Sequence, residues 1–157
     1  MAAPTPSQTI GPFFHLTLGS PGPARLVADD QPGAIALSGR VLDGAGEGVS
    51  DALVELWDGV HFARCHSETD GGYSFVVAKP PPFDGAPHFA VSVFARGLLG
   101  RLVTRCYFPD EAANAVDPVL AAVAPERRDT LVAASGGDGL RFDICLQGER
   151  ETVFFAL

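Results

Sequence analysis

At 157 residues, with 46% apolar and 19% charged side chains, the chain has the composition of one globular domain with a sizeable core and excludes a disordered polypeptide. Eleven basic against nineteen acidic residues leave a net charge of −8, which excludes a general binder of nucleic acid or anionic membrane, since both require a basic surface. No run approaches the roughly 18 apolar residues of a membrane span, and Met1–Phe14 has neither the charged nor the apolar region of a signal peptide, so a cytoplasmic protein is expected.

Residues 1–33 are rich in Pro, Gly and Ser without periodicity and read as an N-terminal arm, either disordered or laid extended across another surface, that of a partner or a symmetry mate. Residues 34–157 read as a single domain. Ala34–Asp43 is expected to be a strand, closed by the turn Asp43–Gly48 (DGAGEG). Ala52–Trp57 follows, with Leu53, Glu55 and Trp57 on one face and Val54 and Leu56 on the other, because side chains alternate along a strand. Gly59–Ser67 reads as a loop. Thr69–Gly72 (TDGG) is a tight turn into Tyr73–Ala78.

His88–Ala95 and Leu102–Phe108 can pair across Gly97–Gly100. Asp117–Ala124 suits one short helix, with Asp117 as N-cap and Pro118 at the first helical position. Leu140, Phe142, Ile144 and Leu146 alternate with polar residues and Cys145 as a half-buried strand, and Glu151–Ala156 closes the pattern. Many short strands with regular turns and little helix predict an all-β antiparallel β-sandwich.

His88 opens a strand, and a second histidine at i+2 would share its face and could share a metal ion. That place holds Ala90. One imidazole cannot hold a metal by itself, so on its residues alone His88 reads as a hydrogen-bonded structural histidine at a strand start. His61 and His66 have no ligand spacing. Arg96 reads by itself as a surface arginine, and Trp57 and Phe154-Phe155 as packing residues. Cys65, Cys106 and Cys145 are odd in number and form no CxxC pair, the pattern of free thiols acting as small apolar residues.

A set of motifs in fixed order changes the weight of these residues: TPSQTIGPFF (Thr5–Phe14), VELWD (Val54–Asp58), TDGGYSF (Thr69–Phe75), KPPPFDGAPHFAVSVFARG (Lys79–Gly97), TRCYFPDE (Thr104–Glu111) and RFDICLQGERETVFF (Arg141–Phe155). Together they resemble the intradiol ring-cleaving dioxygenases, and within them the alpha-type chain of the two-chain members. The resemblance implies an Fe(III) site made in the catalytic chain by two tyrosines and two histidines. In this chain the matching places hold Phe83, His88 and Ala90, and the connection Gly59–Ser67 is short and lacks tyrosine. These are remnant ligand positions, and the resemblance implies that this chain holds no metal.

Its implied role is to complete the site of a homologous beta subunit, which keeps the Fe(III), in an αβ hetero-oligomer. Thr9, Gly11, Pro12 and Arg96 are the implied substrate-binding residues, with Phe13 where the family often has tyrosine. The implied reaction cleaves protocatechuate with O2 between its two hydroxylated carbons, giving 3-carboxy-cis,cis-muconate. A planar guanidinium such as that of Arg96 suits the carboxylate of such a substrate. A non-enzymatic β-sandwich interaction module would account for the strands and the acidic surface, but not for the ordered motifs.

Overall fold

The computed structural model describes residues 3–11, 13–18, 24–137 and 139–156. Its strands, in chain order, are β1 (Ala24–Arg25), β2 (Ile35–Leu42), β3 (Leu53–Trp57), β4 (Phe62–His66), β5 (Gly72–Val77), β6 (His88–Phe94), β7 (Leu102–Tyr107), β8 (Ala134–Gly136), β9 (Gly139–Arg141) and β10 (Ile144–Cys145). They form two sheets. One has the order β1-β5-β2-β9-β8, with β10 also on β2, and the other the order β4-β3-β6-β7.

The second sheet is antiparallel throughout, as is the central β2–β5 pair of the first. Three short pairs in the first sheet, β1 with β5 and β9 and β10 with β2, are parallel. The sheets pack face to face because alternate residues are apolar. Leu37, Val41, Phe75, Val77 and Ile144 from one meet Val54, Leu56, Phe89, Val91 and Val93 from the other in a common core.

The expected β3 faces are observed: Val54 and Leu56 are buried, Glu55 is half-buried and Trp57 is exposed. Gly59–Ser67, expected to be a loop, contains β4 instead. It hairpins on β3 from Trp57 opposite Phe62 to Leu53 opposite His66. Its inward side chains are only Ala63 and Cys65, too small to give a strong alternating signal.

The alternation Leu140–Leu146 is real, since Phe142 and Ile144 are buried. The ladder nevertheless breaks into β9 and β10. The Phe142 carbonyl is claimed by the Tyr73 hydroxyl, and the Asp143 carboxylate takes the Arg40 amide at 2.9 Å. Gly39 permits this approach, because a side chain there would meet the Phe142 backbone. Glu151–Ala156 forms no ladder strand. It is tied to β7 by the Phe155 amide on the Val103 carbonyl (2.8 Å) and the Thr104 hydroxyl on the Val153 carbonyl (2.7 Å).

Among the described residues, helix is confined to α1 (His15–Leu18), α2 (Pro118–Ala122) and two 3₁₀ segments, Ala112–Val116 and Pro125–Leu131. Asp117 caps α2 as expected, accepting the Val119 and Leu120 amides at 2.9 Å with Pro118 at the start. No helix among the described residues is long and apolar enough to cross a membrane.

Candidate functional site

Strand β6 carries candidate chemistry at both ends. At its start, His88 and Ala90 point to the outer face, where His88 lies opposite Tyr107 and Ala90 opposite both Trp57 and Arg105. Beyond its end, Ala95 is buried and Arg96 turns outward before Gly97, whose φ of 93° is one that glycine adopts without strain.

The His88 end is packed shut. The Phe83 ring stacks on the imidazole at 4.3 Å between centroids, Tyr107 tilts against it at 5.3 Å, and Trp57 meets Phe83 edge-on at 5.5 Å. His88 Nδ1 donates to the Ala86 carbonyl at 2.8 Å. Burial pushes its pKa below the usual histidine value, so the ring is neutral.

The loop that carries Phe83 is held by Arg105, which reaches the Asp84 carboxylate at 2.6 Å and the Asp84 carbonyl at 2.9 Å. Asp117 accepts the Ala86 amide at 2.8 Å and the Tyr107 hydroxyl at 3.1 Å. Burial alone would raise the Asp117 pKa, but these bonds and those from α2 hold it below the ordinary value. Burial takes the Tyr107 phenol up to about 12.

The three positions matched to the family's ligands offer one imidazole, already stacked against Phe83, a phenyl ring without a phenolate, and a methyl group, and the nearby Tyr107 hydroxyl is engaged by Asp117 and Arg105. This donor set does not fit an iron ion. Among the described residues no group of three His, Cys, Asp or Glu side chains is placed to share a metal.

The Arg96 end has a different character. The Thr9 hydroxyl accepts the Gly97 amide at 2.7 Å and donates to the Ala95 carbonyl at 3.4 Å. The arm therefore contacts its own sandwich on both sides of Arg96, and Phe14 also packs edge-on against His66 at 5.3 Å. Arg96 Nη2 pairs with Asp51 Oδ2 at 2.7 Å while 53% of the arginine side chain stays exposed. Gly11 is exposed, with open space around it, and Pro12 lies outside the described residues. Thr9 and Arg96 are thus brought together.

The two ends of β6 cannot serve one small ligand. From His88 to Phe94 the strand alone spans roughly 20 Å at about 3.3 Å per residue, and Arg96 lies beyond it.

No protein-family model matches the chain. Among curated proteins it is 41% identical to the protocatechuate 3,4-dioxygenase alpha chain of Burkholderia cepacia, over 96% of both chains. The same protein of Pseudomonas putida is 39% identical over 96% of this chain and 95% of its own. This chain belongs to the protocatechuate 3,4-dioxygenase alpha-chain family.

The Burkholderia cepacia protocatechuate 3,4-dioxygenase beta chain is also related, at 30% identity over 75% of this chain and 66% of its own. Among solved structures, the dioxygenase domain of a carbohydrate-binding fusion from Streptomyces sp. SirexAA-E matches with a TM-score of 0.64 at 26% identity, covering 93% of this chain and 99% of that one. An intradiol ring-cleavage dioxygenase from Tetranychus urticae shares the fold, with a TM-score of 0.58 at 10% identity over 77% of this chain and 84% of its own.

At the Arg96 end of β6, sequence reasoning missed Asp51. It lies in a turn 45 positions from Arg96, and no local pattern links the two. The plug of Phe83, His88 and Tyr107 was also missed, because its aromatic partners come from separate segments.

Proposed function

We propose that this chain is the alpha-type subunit of a protocatechuate 3,4-dioxygenase, binding the carboxylate end of the substrate for a homologous beta-type subunit that holds the Fe(III). The observation that carries this reading is the placement of Arg96 and Thr9 at the far end of β6 from Phe83, His88 and Ala90. A substrate held by Arg96 is out of reach of this chain's own remnant positions, so its catechol end must meet a metal on another chain.

The Fe(III) of the partner supplies the activation that lets O2 cleave the catechol ring. This chain's residues do the rest of the positioning. Arg96 gives a charge-assisted hydrogen bond to the carboxylate, Thr9 fixes the backbone on both sides of Arg96, and Gly11 leaves the approach without bulk. Holding the ring in a fixed orientation is itself a catalytic contribution, because it removes the entropy of alignment from the barrier. The three cysteines are unpaired, which fits a reduced cytoplasmic setting for the same reading.

Coexpression with a beta-type chain tests this. The expected result is ring cleavage by the pair alone, with iron recovered in proportion to the beta chain and this chain by itself free of tightly held iron. One firmly bound iron per copy of the isolated chain, with cleavage activity, would overturn the reading.

A further inference from the structure

Asp51 is unusual on two counts. Its φ is 59°, in the left-handed region that non-glycine residues seldom occupy. Its carboxylate is only 22% exposed and faces Arg96 at 2.7 Å. The turn that holds it is pinned from the other side by Ser67. That hydroxyl donates to the Val49 carbonyl at 2.7 Å and accepts the Ala52 amide at 2.8 Å, and the Ser67 amide donates to the Ala52 carbonyl at 2.8 Å. Residues on both sides of Asp51 are therefore locked to the end of β4, and the carboxylate is presented from a rigid base.

We propose that Asp51 is a positioning residue that holds the Arg96 guanidinium ready for the substrate carboxylate; this rests on the functional reading above. Arginine has several rotatable bonds, and an unsupported one on a turn samples many orientations. Thr9 fixes only its backbone neighbours. The ion pair engages Nη2 and leaves about half of the side chain open to solvent, so the guanidinium can be oriented by Asp51 and still donate outward through its other N–H groups. Asp51 also lowers the local positive charge. The positioning effect outweighs this, because the substrate carboxylate meets the N–H groups that Asp51 leaves open and a preset fork loses less freedom on binding.

The test uses the coexpressed αβ enzyme and compares protocatechuate with plain catechol. Asp51→Gly deletes the carboxylate while keeping a residue suited to the left-handed turn, and Asp51→Asn keeps an acceptor oxygen there. Asp51→Gly is expected to raise KM for protocatechuate by about two- to fivefold, with kcat, iron content and catechol turnover unchanged. Asp51→Asn should recover most of the loss.

In an Arg96→Ala background, adding Asp51→Gly should cost nothing further, because the carboxylate acts through the guanidinium. An unchanged or lowered KM in Asp51→Gly, or an equal loss on both substrates, overturns the proposal. If Arg96→Ala discriminates between the substrates and Asp51→Gly does not, only the role of Asp51 fails. If Arg96→Ala shows no discrimination, the functional reading fails with it.

Discussion

Arg96 can be weighed by what its removal takes away. A hydrogen bond to a charged group contributes about 1.5–3 kcal/mol, and about 1.4 kcal/mol is a factor of ten in rate. Arg96→Ala in the assembled enzyme should therefore lower kcat/KM for protocatechuate by about ten- to a hundredfold. Plain catechol has no carboxylate to lose, so its turnover should change much less. Arg96→Lys should restore part of the loss, because an ammonium supplies the charge without the planar fork. The ion pair with Asp51 is an exposed one and contributes little to stability, so the folded state should tolerate all three forms. Steady-state kinetics on both substrates, with iron analysis of each variant, measures this. Equal losses on the two substrates would assign Arg96 to the interface rather than to the carboxylate.

At the scale of elements, the informative unit is the end of β6 closed by the loop carrying Phe83. His88 is buried and neutral there, with its pKa below the unfolded value. At neutral pH both folded and unfolded forms are uncharged at this site. As the pH falls below the ordinary histidine value of about 6.5, the unfolded chain takes up a proton that the folded chain resists. The unfolded state then binds more protons, so His88 lowers stability progressively toward pH 5. Urea midpoints of the purified chain at pH 7 and pH 5 should show a larger drop in the natural protein than in His88→Phe. That variant starts about 1 kcal/mol less stable, because it leaves the Ala86 carbonyl without its donor. Equal drops would mean that His88 titrates as freely folded as unfolded.

The same elements mark what the sequence could and could not reveal. Strands β2, β3, β5, β6 and β7 and the Asp117 cap were legible because each rests on local signals: alternation of large apolar residues, a turn, a capping carboxylate. Strand β4 was not, since Ala63 and Cys65 are small. The break between β9 and β10 was not, since it depends on Tyr73 and Gly39 meeting Phe142 from a distant strand. In the site, Arg96 and Thr9 were legible only through their motifs. Asp51 and the Phe83 plug depend on contacts between segments far apart in the chain.

For the whole molecule, the question is what covers the apolar surface that folding leaves behind. Trp57, Val60 and Phe62 are all exposed around the β3–β4 hairpin, and Phe13 and Leu16 are exposed within the arm. The alignment to the Burkholderia cepacia alpha chain runs over 191 positions, more than the 157 residues here, so that relative carries insertions which this chain lacks. A monomer seldom leaves large aromatic side chains clustered in water, and such clusters mark surfaces where another chain packs. Relatives of both alpha and beta type occur in one organism, and an active site divided between two chains needs an interface that stays closed through turnover. Such obligate interfaces bury about 2,000 Å² or more and are apolar at their centre. The coexpressed chains should therefore sediment as one species with equal amounts of each. The complex should persist on dilution to micromolar concentration, and this chain alone should self-associate as its concentration is raised. Replacing Trp57 and Phe62 together by serine should improve the solubility of the isolated chain. If that face lies in the interface, the double variant should also weaken the complex, seen as free chains at the lower concentrations of a dilution series. Two separate monomers throughout that series, with the natural sequence, would defeat the assembly prediction, and the divided active site would fall with it.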